Sequence, residues 1–448
     1  MFPSNIKNIF KLLLANFLVF FVIAFVVEIC GQVYAYFHPA YKVIPFAPHP
    51  ILGWSFIPNT EHIITGNHWY AREFSAKVKI NSHGFRDFER TIKKDKDTIR
   101  IALLGDSMIA ARQLDFEKTA GQLLEKRLER DFSSKTGKRY EVLNFGVPGY
   151  GVDQMFLNWN IYASKFDPDF VFLYIFERNY LRTISPSWCN KGLFGLKNLN
   201  EGECLRIRPF IIIRKSKGEF IPKKIVQNLP RDLYYINLSN LNTFKKLSDD
   251  GNLSSLLNHL KKLNLQYFPP SHYDLFLEMQ KSFIDEEMDG KRMIRKNPGW
   301  LTSDIFFNLK DGLKNKFFRN KNHENWTQKP HYTSGDKDNF PSWLTTNLVN
   351  VKTLQVLGES IINSKNDFVI IDSFQFHSRS IPPTQLASEL LKNLSKYFNF
   401  GYAPFYKKLN KSKQKGRSLR WKYDGHLNEL GNQMLSELMF DYLATRLN

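Results

Sequence analysis

Two short stretches, far apart in the chain, hold residue types that together can attack an ester. Gly105-Asp106-Ser107-Met108 follows an apolar, β-branched run and offers a serine hydroxyl on a tight turn. Asp424-Gly425-His426-Leu427-Asn428 precedes the last amphipathic segment and offers an imidazole beside a carboxylate. A serine is a weak nucleophile until a base takes its proton, and a histidine oriented by a carboxylate is such a base. Each stretch also has a plainer reading: Gly-Asp-Ser makes ordinary β-turns, Asp424-Gly425 is a turn with an N-cap role, and His426 alone is a surface residue.

Two further stretches bear on the oxyanion that such an attack creates. Asn144-Phe145-Gly146-Val147-Pro148-Gly149-Tyr150-Gly151 ends a second apolar run. Its glycines permit close backbone approach and free an N–H for a negative oxygen. Asn179 follows a third apolar run, where a carboxamide can donate to the same oxygen. In this chemistry His426 takes the Ser107 proton, and water or a sugar hydroxyl then accepts the acyl group. No metal or cofactor is required. The other ten of the 11 histidines have no HExxH-type spacing, and the chain has neither a P-loop nor a dinucleotide fingerprint.

The elements that must position these groups alternate. Residues 98–104, 140–145, 170–176 and 368–372 are apolar, β-branched or aromatic runs bounded by turn residues, and they predict buried strands. Residues 116–132, 348–363 and 427–443 carry apolar side chains at helical spacing. Strands alternating with helices imply an α/β fold on a parallel sheet. The rhythm stops between residues 182 and 341, a basic, Asn- and Lys-rich stretch broken by prolines, which reads as a mainly helical or irregular insertion or cap. Before the first strand, residues 31–96 form a lead-in with Leu52-Gly53-Trp54 and Ile80-Asn81-Ser82-His83-Gly84-Phe85-Arg86-Asp87, the latter a turn after a short strand.

As an ordered set at strand ends, these stretches resemble the four blocks of the SGNH (GDSL-type) hydrolase superfamily, over roughly 190–200 residues in two pieces. The lead-in also looks like the segment that precedes this domain in many bacterial members. The resemblance implies a three-layer α/β/α, flavodoxin-like fold, with residues 97–181 and 342–448 as the two parts of one hydrolase domain. It implies Ser107 as nucleophile, with Asp424 and His426 completing the triad. The oxyanion hole it implies is the Ser107 N–H, the Gly149 N–H and the Asn179 side chain. Two departures stand out. Glu177-Arg178-Asn179-Tyr180 replaces the usual Gly-x-Asn-Asp, and Asp424 stands two residues before His426 where three is common.

The N-terminus adds a location. Residues 12–27 carry no charge, and the run extended back to Ile9 approaches the roughly 20 residues a membrane-crossing helix needs, which predicts an anchor over residues 9–30. No Ala-x-Ala cleavage pattern follows, so an uncleaved anchor is expected in place of a signal peptide. Lys7 and Lys11 place residues 1–8 in the cytoplasm by the positive-inside rule, and the catalytic domain outside. The expected substrate is an acyl or O-acetyl ester of an envelope polysaccharide or lipid, with a membrane acyltransferase as a candidate partner. The competing reading is a non-catalytic envelope protein that uses this fold for carbohydrate binding or assembly.

The net charge of +20 is scattered, without a nucleic-acid-binding signature, so no nucleic-acid partner is expected. Lys407 to Lys422 is a basic run beside the expected triad. It reads as a solvated loop or as a site for an anionic substrate. Cys189 and Cys204 would lie in the exported portion, where a disulfide closing so small a loop contributes about 3 kcal/mol. Two unrelated thiols are the alternative.

Overall fold

The structure is a computed structural model that describes residues 4–38, 40–42, 46–49, 51–66, 72–183, 210–213, 265–268, 294–296, 343–374 and 384–447. Cys189, Cys204 and most of the 182–341 stretch lie outside the described residues.

Helix α1 (Ser4–Phe37) contains the whole apolar N-terminal run. Its segment Asn8–Phe37, 30 residues containing an 18-residue window of mean hydropathy 2.7, is long and apolar enough to be a membrane span or a signal sequence. Its large apolar side chains, from Ile9 to Phe37, are exposed. Cys30 on this helix is an exposed free thiol.

The lead-in is built of short strands. β1 (Ala40–Lys42) is followed by the antiparallel pair β2 (Phe46–His49) and β3 (Gly53–Phe56), then the antiparallel pair β4 (Glu61–Thr65) and β5 (Ser75–Lys79). Burial alternates along β4 and β5, as expected of strands with one face on a core.

The domain proper begins with β6 (Thr98–Gly105), the short helix α2 (Ser107–Ala110) and α3 (Ala120–Thr136). It continues with β7 (Arg139–Gly146), α4 (Val152–Ile161), β8 (Phe170–Ile175) and α5 (Glu177–Thr183). After β9 (Phe210–Ile213), β10 (Leu265–Phe268) and β11 (Ile294–Lys296) come α6 (Trp343–Asn363) and β12 (Asp367–Asp372). The chain closes with α7 (Thr384–Tyr397), β13 (Gly401–Ala403), α8 (Phe405–Gln414) and α9 (Glu429–Leu447).

Five strands form one parallel sheet in the order β13-β12-β8-β6-β7. Numbered within the sheet by chain order, that is 2-1-3-4-5 from the β7 edge, the flavodoxin-like doubly wound arrangement. Alternate strand residues feed two cores. Ala102, Leu104, Leu143, Phe145, Val171, Leu173 and Ile370 face α4, α6, α7 and the lead-in aromatics Phe46, Trp54 and Phe56. Ile101, Leu103, Val142, Phe172, Tyr174, Val369 and Ile371 face α3, α8 and α9. Both sheet faces are therefore covered, which is why the strands read as continuous apolar runs. This is the expected three-layer α/β/α architecture.

Several details differ from the sequence reading. Residues 116–118 form a separate 3₁₀ turn, and α3 starts only after it. The basic run from Lys407 is helical through residue 414, because Phe405 and Leu409 turn one face of α8 into the core. The described parts of the 182–341 stretch include strands: β9 pairs with β10, and β11 pairs with β1 of the lead-in.

Candidate active site

Ser107 sits at the carboxyl end of β6, on the switch side of the sheet where β7 and β8 flank it. Asp106 caps α2 by accepting from the Met108 N–H at 3.0 Å, and it is fully buried. Ser107 is the first helical residue, so its N–H has no intrahelical acceptor and makes no hydrogen bond among the described residues. Gly146, at the end of β7, lies directly under this turn. A Cβ there would come within 2.5 Å of the Ala110 nitrogen and 2.8 Å of Ile109 Cβ. Only glycine lets the helix that Ser107 opens sit so close to the sheet.

The histidine and the aspartate come from the loop before α9. Trp421 N–H donates to the His426 carbonyl at 3.0 Å, Gly425 N–H donates to the Trp421 carbonyl at 3.1 Å, and Arg420 and Leu427 form an antiparallel bridge. Gly425 has φ +82, which the turn between Asp424 and His426 requires and glycine adopts at no cost. The loop folds back so that His426 Nδ1 hydrogen-bonds Asp424 Oδ1, while His426 Nε2 lies 2.8 Å from Ser107 Oγ. The three expected triad residues thus form one hydrogen-bonded chain, Ser107–His426–Asp424. Burial pushes the Asp424 carboxyl up, but the hydrogen bonds and charge of His426, with Arg112 nearby, outweigh it and hold the group below its ordinary range.

Glu73, which the sequence reading did not single out, fastens this loop. Its carboxylate accepts from the successive N–H groups of Lys422, Tyr423 (2.9 Å) and Asp424 (3.1 Å). Phe74 packs against Trp421 at 5.4 Å between ring centroids. The lead-in supports the nucleophile's side as well. Arg86, 1% exposed, donates to the carbonyls of Ala110 (3.0 Å), Ala111 and Leu114, gathering the segment after α2 around one guanidinium. Asp87 accepts from the Asn144 N–H at 3.0 Å on β7. Trp54 donates to the Pro148 carbonyl at 2.9 Å, and Tyr150 returns a bond to the Trp54 carbonyl at 2.8 Å.

The expected oxyanion donors are placed less uniformly. The N–H of Gly149 makes no hydrogen bond among the described residues. Asn179, on α5, is fully buried: its Oδ1 accepts from the Phe176 N–H at 2.9 Å, and its Nδ2 donates to the Tyr150 carbonyl at 2.9 Å. One of its two amide hydrogens is therefore committed to the glycine turn. Arg182, one turn further along α5, donates to Asp106 Oδ2 at 2.7 Å and to the Tyr150 carbonyl at 3.3 Å. This ion pair ties the asparagine's helix to the residue preceding Ser107. Among the described residues there is no cluster of His, Cys, Asp and Glu that could hold a metal ion.

No family model matches the chain, and no curated protein matches it either. Solved structures with a similar fold include an acetyl xylan esterase, at 10% identity over 77% of this chain and 100% of that one, with a TM-score of 0.37. A lipase/acylhydrolase from Enterococcus faecalis is similar at 10% identity over 78% of this chain and 97% of that one, with a TM-score of 0.34. A lipolytic protein of the G-D-S-L family from Veillonella parvula is similar at 11% identity over 77% and 98%, also with a TM-score of 0.34.

Proposed function

We propose that the chain is a serine ester hydrolase that works through an acyl-enzyme. The observation that carries this reading is the 2.8 Å approach of His426 Nε2 to Ser107 Oγ, with Asp424 on the opposite ring nitrogen. As Ser107 Oγ bonds to the ester carbonyl carbon, His426 takes the hydroxyl proton and Asp424 stabilises the imidazolium. The N–H groups of Ser107 and Gly149, with the remaining Asn179 amide hydrogen, are the candidate donors to the oxyanion. Each such donor contributes about 3–4 kcal/mol to lowering the barrier. Collapse of the intermediate expels the alcohol, which receives the proton from His426. Water, deprotonated in turn by His426, then attacks the acyl-serine and releases the acid. A sugar hydroxyl taking the place of that water gives acyl transfer by the same steps.

In this reading residues 97–181 and 342–448 are the two parts of the catalytic domain, 31–96 braces it and 182–341 is an insertion. Residues 9–30 anchor the chain, with 1–8 cytoplasmic and the catalytic domain on the outer side of the membrane. The substrate class is an acyl or O-acetyl ester of an envelope glycan or lipid, and a membrane acyltransferase is the partner that would supply or share such acyl groups. The test is hydrolysis of a short-chain nitrophenyl ester by the native protein and by Ser107→Ala. Loss of turnover in the variant is expected, and equal rates would end the proposal.

A further inference from the structure

Arg112 follows the nucleophile's helix by one residue, after Ala111, whose backbone is left-handed at φ 44. Its guanidinium lies 5.2 Å from the centroid of the Phe46 ring. Among the described residues no hydrogen bond or ion pair reaches its side chain, which is half-buried with its Nε out of solvent. His62 on β4, 2% exposed, has neither ring nitrogen partnered among the described residues, and the charge of Arg112 acts on it. The other charges that bear on this place are Arg86, under the same segment, and Asp424 of the triad. Burial lowers Arg112 to about 10, and the attraction of Asp424 does not restore it. A half-buried guanidinium without an acceptor among the described residues is open to a carboxylate or phosphate oxygen pair, the partner its planar fork fits.

Resting on the ester-hydrolase reading, we propose that Arg112 is a specificity-determining residue, binding an anionic group of carboxylate or phosphate type carried by the ester substrate beside the triad. The Phe46 ring positions the guanidinium, and the carbonyls gathered by Arg86 fix the backbone from which it projects. Such a site favours esters on acidic sugars or phosphorylated carriers over neutral ones.

The test uses the full chain in detergent, with two readouts. The first is the ratio of kcat/KM for mono-4-nitrophenyl succinate to that for neutral 4-nitrophenyl butyrate. Arg112→Gln is expected to lower this ratio at least tenfold, and Arg112→Lys, which keeps the charge but loses the fork, is expected to fall between. The second readout is independent of turnover. In the Ser107→Ala background, succinate and inorganic phosphate, each compared with chloride at equal ionic strength, are expected to raise the melting temperature. Adding Arg112→Gln or Arg112→Lys is expected to abolish or reduce that rise, and whichever of the two anions acts more strongly identifies the source of the group. A ratio unchanged within twofold, or no Arg112-dependent melting shift with either anion, overturns the proposal. If Ser107→Ala leaves ester hydrolysis intact, the hydrolase reading fails on its own, and the melting shift still decides whether Arg112 binds an anion.

Discussion

The carboxylate of Glu73 accepts a hydrogen bond from the backbone N–H of Asp424 at 3.1 Å, across 351 residues of sequence. With the bonds from Lys422 and Tyr423, one acidic side chain holds three consecutive amides of the loop that presents the triad. Charge-assisted hydrogen bonds of this kind are about twice as strong as neutral ones. Glu73→Gln is expected to loosen the Asp424–His426 loop and lower kcat by about tenfold, close to 1.4 kcal/mol of barrier. KM and the global melting temperature are expected to change little. Steady-state kinetics beside a thermal melt read both.

The hydrogen-bonded chain Ser107–His426–Asp424 predicts non-additive losses. Ser107→Ala and His426→Ala should each reduce kcat by several orders of magnitude, and the double variant should be no worse than either alone, because the residues act as a unit. Additive losses in kcat would mean that the two side chains serve different steps.

The ion pair between Asp106 and Arg182 joins a fully buried carboxylate to a nearly buried guanidinium at 2.7 Å. Arg182→Met leaves that carboxylate uncompensated and is expected to destabilise the fold by about 3–5 kcal/mol. Adding Asp106→Asn should recover much of this, since the stranded charge is then gone. Urea unfolding of the single and double variants measures the difference.

His49 predicts a pH dependence of stability. Its Nδ1 accepts from the N–H groups of Ile51 (3.2 Å) and Leu52 (3.0 Å), and its Nε2 meets the Tyr162 hydroxyl at 2.9 Å. Burial lowers its pKa from 6.5 to about 4. Between those values the unfolded chain binds a proton that the folded chain refuses. The His49 contribution is therefore complete above pH 6.5 and is lost as pH falls toward 4, up to about 3 kcal/mol. His49→Gln should flatten the fall in unfolding free energy between pH 7 and pH 4.5 relative to the native protein.

Gly146→Ala is expected to displace α2. The added Cβ would meet backbone at the Ala110 nitrogen, which cannot swing aside as a side chain tip can. The expected result is a folded but less stable protein with kcat reduced more than KM is raised. Circular dichroism melts and kinetics together separate this from simple unfolding.

The apolar runs announced four of the five central strands because a doubly covered parallel sheet needs side chains that are apolar on both faces. β13 escaped notice because three residues, Gly401–Ala403, carry too short a pattern to stand out from a turn. The hydrogen-bonded set Ser107, His426 and Asp424 was legible because Gly-Asp-Ser and Asp-Gly-His keep these residue types within a few residues of a strand end and a helix start. Glu73 was not, since nothing local distinguishes a glutamate that will bond amides 350 residues away. The same holds for Arg86. It was read as part of a turn, yet its guanidinium gathers carbonyls from 24 to 28 residues further on.

Ser107 and His426 are separated by 319 residues, and the start of α9 is bonded to the start of α3, the Asn432 side chain accepting from the Ala120 N–H at 3.1 Å. A nascent chain would thus carry Ser107 through 319 further residues of synthesis without its hydrogen-bond partner. Closing so long a loop waits until His426 has emerged, and contacts of such sequence separation are slow to form. The Ser107–His426 pair would then be assembled in one step, leaving a growing polypeptide chemically silent until that point.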